Sequence, residues 1–124
     1  MSTPPKRRTD LTDHFFGDWI RNNLPHPNTG LNVSDIDYIL YNYKSKKLML
    51  LEIKCQGQPL RTFQKYLFTM LNEMIRDSLP RLYPKYRYLG FNVISFENDR
   101  FNNGKVYFNN KEISESELIE KLSI

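Results

Sequence analysis

Asp35, Asp37, Glu52 and Lys54 stand in segments that are otherwise rich in Ile, Leu, Tyr and Met. Charges in such strands need compensation, because an isolated buried charge is costly. Carboxylates that converge on one point form a site for a hard cation. Mg²⁺ takes oxygen ligands, keeps several waters and often needs only one or two carboxylates plus substrate phosphates. It would polarise a phosphodiester and lower the pKa of a bound water. The Lys54 ammonium would orient or help deprotonate that water, or stabilise the pentavalent charge. The plainer alternative is a cross-strand ion pair between Asp37 and Lys54, worth about 0.2–1 kcal/mol.

The elements that must position these groups are two strands. The stretch from Ser34 to Gln56 reads as an apolar hairpin with a basic turn at Lys44, Ser45, Lys46 and Lys47. That turn sets Tyr43 opposite Leu48, Asp37 opposite Lys54 and Asp35 opposite Gln56. Strand parity then puts Asp35, Asp37, Glu52, Lys54 and Gln56 on one face. Met49, Leu51, Ile53 and Cys55 fall on the other. Both faces are largely apolar, which predicts a central hairpin covered on both sides. A slip of one residue would split the charged cluster between the faces.

Asp37, followed by Glu52-Ile53-Lys54 at the end of a Leu-Met-Leu-Leu strand, resembles the PD-(D/E)XK nuclease superfamily. The resemblance maps the two acids to Asp37 and Glu52 and the lysine to Lys54. Asp35 is the alternative first acid; Asp37 is preferred because the apolar run Tyr38-Ile39-Leu40 follows it. The resemblance implies a Mg²⁺- or Mn²⁺-dependent phosphodiesterase on a restriction-endonuclease-like αβββαβ core. Its metal ligands would be Asp37 and Glu52, with the Ile53 carbonyl as a further one. Gln64, near the start of the following helix, is similar to a polar residue that contacts the attacking water or the substrate in several branches. The first core strand is expected near Leu31-Asn32-Val33. A second copy of the chain would supply a symmetric partner, as in the resolvases that it resembles.

The rest of the chain is read from pattern. Residues 1–9 form a basic arm with Lys6, Arg7 and Arg8, predicted to be disordered. A first helix is predicted from Leu11 to Asn23, capped by Asp10 or Thr12, with Leu11, Phe15, Phe16, Trp19 and Ile20 as a core stripe. Asp18 lies off that stripe as a candidate extra acid. Pro25, Pro27 and Gly30 mark a loop. A second helix is predicted from about Leu60 to Ser78, ended by Pro80 and Pro84. Its buried face is Leu60, Phe63, Leu67, Met70, Leu71, Met74 and Ile75. Its N-terminus favours a phosphate, with Arg61 and Lys65 to help hold one. Arg81, Lys85 and Arg87 alternate with Tyr83, Tyr86 and Tyr88, a mixture that suits a nucleic-acid backbone and its bases. An ordinary tyrosine-rich strand edge is the equal alternative there. Tyr86–Phe96 reads as a strand. A small hairpin turns at Asn109-Asn110, and Ser114 with Glu117 form a capping box. The last helix, about Glu115 to Leu122, points Leu118, Ile119 and Leu122 inward. This tail carries no evident chemistry.

The chain has Lys and Arg numbering 18 against 14 Asp and Glu, a net charge of +4 that leans modestly towards polyanionic partners. The single Cys55 excludes an internal disulfide framework and fits a reducing cytosol. No apolar run is long enough to span a membrane. The sequence therefore predicts one α/β domain over 10–124. It has a mixed central sheet flanked by helices, a C-terminal hairpin and helix, and a cytoplasmic setting. The expected activity is metal-dependent hydrolysis of nucleic acid, with DNA as the favoured partner. A non-catalytic binding module on the same fold is the alternative.

Overall fold

The computed structural model describes residues 11–55, 58, 60–98, 101 and 104–124, leaving out the side chains of 11–14 and 27. The predicted arm over 1–9, the Asp10 cap and the placement of Gln56 lie outside the described residues. The chain divides into two compact units, Met1–Val33 and Ser34–Ile124.

In the first unit, α1 runs Leu11–Asn23 as predicted, followed by a short 3-10 turn at Pro27–Thr29. The predicted core stripe is not buried: Phe15, Phe16 and Trp19 are exposed, with the rings of Phe16 and Trp19 stacked at 5.7 Å. One helix and a turn offer too little surface to enclose large side chains. Leu31, Asn32 and Val33 form no strand, so the three strands expected before the second helix are two.

The second unit is an α/β layer. Its strands are β1 (Tyr38–Asn42), β2 (Lys47–Cys55), β3 (Arg87–Phe96), β4 (Val106–Phe108) and β5 (Lys111–Ile113). They form one open five-stranded mixed sheet in sequence order. β2 and β3 are parallel, which requires a crossover, and α2 (Thr62–Leu82) supplies it. The other pairs are antiparallel. α3 (Glu115–Leu122) starts at the predicted capping box, where Ser114 Oγ accepts from the Glu117 N–H and Glu117 Oε1 from the Ser114 N–H. The turn between β4 and β5 sets Asn109 and Asn110 at φ of 50° and 69°, the left-handed pair that a tight hairpin needs.

The β1–β2 register differs from the predicted one by two residues. Tyr38 pairs with Leu51 and Tyr41 with Leu48, so the turn is 43–46. Asn42 is the cause: its side-chain oxygen accepts from the N–H groups of Lys44 and Ser45 and starts the turn one residue early. Lys46 then takes φ of 60°. A shift of two keeps every side chain on its predicted face. It moves Asp37 from opposite Lys54 to opposite Glu52.

One sheet face carries Met49, Leu51, Ile94, Val106 and Ile113, which close with Leu118 of α3 into the buried core. The other faces α2 through Leu50 and Phe91, with Phe68 against Phe91 at 4.6 Å. The buried side of α2 is the predicted one in part: Phe63, Leu67, Leu71 and Ile75 are half-buried, as predicted. Phe68 is buried, while Met70 and Met74 are exposed together with Tyr66. The apolar residues span one wide arc of the helix, and spacing alone does not say which part of it meets the sheet. α2 also passes through Pro80 to Leu82. Proline there removes a single backbone bond in the last turn, a loss that the helix end tolerates. Ile119 is exposed rather than inward, because Leu118 and Leu122 already occupy the inner side of α3.

A bulge in β3 sets the far end of the sheet. Leu48 pairs with Tyr88 but Leu50 with Phe91, so β3 holds one extra residue around Gly90, whose φ is 91°. Asn72 of α2 clamps the bulge, its oxygen accepting from the Tyr88 hydroxyl at 2.8 Å and from the Phe91 N–H at 3.2 Å. Buried Asn92 donates to the carbonyls of Leu89 and Gly90 and accepts from Asn109. These bonds fix the register in which Val93 lies beside Glu52 and Ser95 beside Lys54.

Candidate functional site

β1 ends at Tyr38, one residue short of where Asp37 would pair with Glu52. The N–H of Ile53 on β2 is thereby left without a backbone acceptor from β1. The Asp37 side chain takes its place: Oδ2 accepts from the Ile53 N–H at 2.9 Å. In a strand the N–H and C=O of one residue project from the same edge. The Ile53 carbonyl therefore lies on the same edge of β2 as the Asp37 carboxylate.

Glu52 lies on the α2 face and is only 4% exposed. Its Oε2 is buried with no hydrogen-bond partner among the described residues. Its Oε1 lies 3.8 Å from Lys54 Nζ. Lys54 thus pairs along its own strand with Glu52, which replaces the predicted cross-strand pair with Asp37. Burial pushes the Glu52 carboxyl up to about 7, helped by the neighbouring Asp37 side chain, which favours a proton shared between the two and repels a second negative charge. Lys54 and the Asp37 backbone pull the other way without reversing it. Two acceptors side by side are satisfied by a shared proton or by a cation. Two carboxylates and a carbonyl form an all-oxygen donor set of the kind Mg²⁺ takes when waters complete its shell. Among the described residues no group of three or more His, Cys, Asp or Glu side chains could hold a metal ion. The donor set therefore rests on two side chains and the backbone. Asp35 is exposed in the segment before β1, and Asp37 is the acid that meets Glu52.

The start of α2 adjoins this end of β2. Lys54, Gln58, Leu60, Arg61 and Gln64 line one cavity of about 580 Å³. The Gln64 carbonyl oxygen accepts from the Arg61 N–H and so closes the first turn of the helix. That use leaves its amide NH₂ as the group free to meet a substrate or water. Arg61 and Lys65 are exposed. Lys85 and Arg87 are not part of this constellation. Arg87 begins β3 opposite Lys47, seven strand positions from Lys54 on β2, or about 23 Å at ~3.3 Å per residue. The tyrosines between them are engaged in packing. Tyr86 stacks on Tyr41 at 5.9 Å, the two hydroxyls lie 2.8 Å apart, and Lys46 Nζ sits over the Tyr86 ring. Asp18, in the other unit, pairs with Arg21 on the surface of α1.

The reading by residue type missed the wall on the far side of Lys54. Ser95, Tyr107, Asn109 and Asn110 line a second cavity of about 550 Å³ together with Lys54 and Lys65. The tail that carried no evident chemistry supplies three of those residues. The signal for them lies in register, because Lys54 pairs with Ser95 and Ser95 with Tyr107 in one row across the sheet.

No family model, curated protein or solved structure matches the chain. Among the described residues no helix is long and apolar enough to cross a membrane.

Proposed function

We propose that this chain is a divalent-cation-dependent nuclease that hydrolyses phosphodiester bonds in nucleic acid, with DNA as the favoured substrate. One observation carries the reading: Asp37 and Glu52 meet where β1 ends against β2, with Lys54 3.8 Å from Glu52. On this reading β1, β2, α2 and β3 correspond to the later part of a restriction-endonuclease-like core, with the acids at the rim of the hairpin.

Asp37, Glu52 and the Ile53 carbonyl would hold Mg²⁺ or Mn²⁺. The bound ion supplies Lewis-acid polarisation of a phosphate oxygen and a more acidic water. The chain's own residues do the rest. Asp37 is fixed by the Ile53 N–H, so its second oxygen is oriented without further ordering. Lys54 is largely enclosed and holds its ammonium where a water or phosphate oxygen would approach Glu52. Gln64 lines the same cavity, and its amide NH₂ would donate to a water or phosphate oxygen there. Arg61 and Lys65, at the N-terminal end of α2, bind flanking phosphates, which that helix end also favours. Water adds to phosphorus, the bond to the leaving oxygen breaks, and a phosphomonoester and a hydroxyl result.

The test is incubation of labelled single-stranded, duplex and branched DNA with Mg²⁺, with Mn²⁺ and with chelator. Products form only with metal. Glu52→Ala and Lys54→Ala abolish them while the far-UV spectrum stays native. Shifted bands without products in every condition overturn the reading.

A further inference from the structure

We propose that the cavity running from Lys54 across β3 to β4 is a subsite for the base of one unpaired nucleotide beside the scissile phosphate, with Tyr107 as its stacking surface. This rests on the nuclease reading for its adjacency to the reacting bond. The binding chemistry stands on the cavity itself.

The register builds the subsite. Lys54, Ser95 and Tyr107 are directly paired neighbours on three successive strands, so they share one sheet face. At ~4.8 Å per strand the Tyr107 backbone is about 10 Å from that of Lys54. The cavity over this row holds about 550 Å³. That lies within the roughly 300–1,000 Å³ of small-ligand pockets, room for one base. Its lining matches the parts of a nucleotide. Tyr107 offers an aromatic face, Val93 an apolar floor, and Ser95 and Asn110 polar groups for a base edge. Lys54 and Lys65 offer cations for the phosphates, and among the described residues no carboxylate lines the cavity. Stacking on an aromatic ring is how single strands are held without sequence preference. The cavity beside Arg61 and Gln64 shares Lys54, Gln58 and Leu60 with this one, so a strand can continue from one to the other past Lys54. The Asn109 side chain is engaged with Val93 and Asn92, which holds the turn that closes the far end.

The substrate class follows. The enzyme would act where a base is free to leave the stack: single strands, flaps, overhangs or the unpaired arms of a branch.

Two measurements test this. In the first, a single-stranded DNA carries one abasic residue moved through successive positions, and cleavage is timed with Mg²⁺. An abasic residue next to the cut slows the reaction about 5- to 150-fold, the factor equivalent to ~1–3 kcal/mol per stacked base. Residues further away have little effect. In the second, a short single strand carries 2-aminopurine, and its fluorescence is followed on binding in chelator. Wild type and Tyr107→Phe quench it strongly at one position, and Tyr107→Leu does not. Asn110→Gly, which keeps the left-handed turn, weakens binding without removing the quench. Position-specific, Tyr107-dependent quenching without cleavage in any metal would sink the nuclease reading and leave the base subsite standing. Metal-dependent cleavage that ignores abasic position and Tyr107→Leu would overturn the subsite alone. Cleavage of a fully paired duplex as fast as a single strand, or no quenching at any position, also overturns it.

Discussion

Glu52→Gln isolates the energetic state of the acid pair. In the absence of metal the Glu52 carboxyl is held near 7 in the folded chain, against an ordinary value of 4.5. Between those values the folded state keeps a proton that the unfolded state has lost. Stability therefore falls as pH rises through that window, and the loss is complete above about 7. A displacement of that size corresponds to at most roughly 3 kcal/mol at ~1.36 kcal/mol per pH unit, before screening by solvent. Glutamine is uncharged throughout, and its NH₂ can donate to the Asp37 side chain. In chelator, urea or thermal unfolding should show wild type losing stability from pH 5 to 8 and Glu52→Gln nearly level. At pH 8 the variant is the more stable. Even a third of that displaces the melting midpoint by about 4–8 °C for a unit of this size. Mg²⁺ at pH 8 should restore wild type and leave the variant unmoved. If Glu52→Gln tracks the wild-type slope, or is the less stable at pH 8, the two carboxyls do not share a buried site.

Lys54→Met removes a cation that draws the Glu52 carboxyl down, so in chelator the stability loss should start at the same pH, extend to higher pH and be larger, while cleavage disappears. Asn72→Ala strips the acceptor from the Tyr88 hydroxyl and the Phe91 N–H; urea unfolding should show a loss at the lower end of ~1–3 kcal/mol, since both groups are only part-buried. Arg61→Ala and Lys65→Ala should each weaken single-strand binding and reduce the slope of log affinity against log salt by about 0.7. Lys85→Ala and Arg87→Ala, at the other end of the sheet, should leave both quantities for a short oligonucleotide unchanged.

What could be read from the chain, and what could not, divides along physical lines. Helix α1, the Asn109-Asn110 turn and the Ser114 capping box follow from short-range chemistry and were legible. The approach of Asp37 to Glu52 was legible because parity survives any even shift of register; that the Asp37 side chain would turn to the Ile53 N–H at the strand edge was not. The shift itself depended on one side chain, Asn42, bonding forward into the turn. The centre of the buried face of α2 was not legible, because Phe68 and Met70 lie towards opposite edges of a wide apolar arc and only the sheet decides between them. Tyr107 was invisible for a different reason. Its nearness to Lys54 arises from two strand pairings whose partners lie far apart in sequence, and no local pattern records that.

Binding of Mn²⁺ followed by calorimetry at pH 6.5, in buffers of different ionisation enthalpy, tests the acid pair most directly. The account predicts saturable binding to wild type with net release of protons, because the cation displaces the one held at Glu52. Binding should be lost in Asp37→Asn and in Glu52→Gln. Wild type that takes up no Mn²⁺, or variants that bind it as well as wild type does, would contradict it.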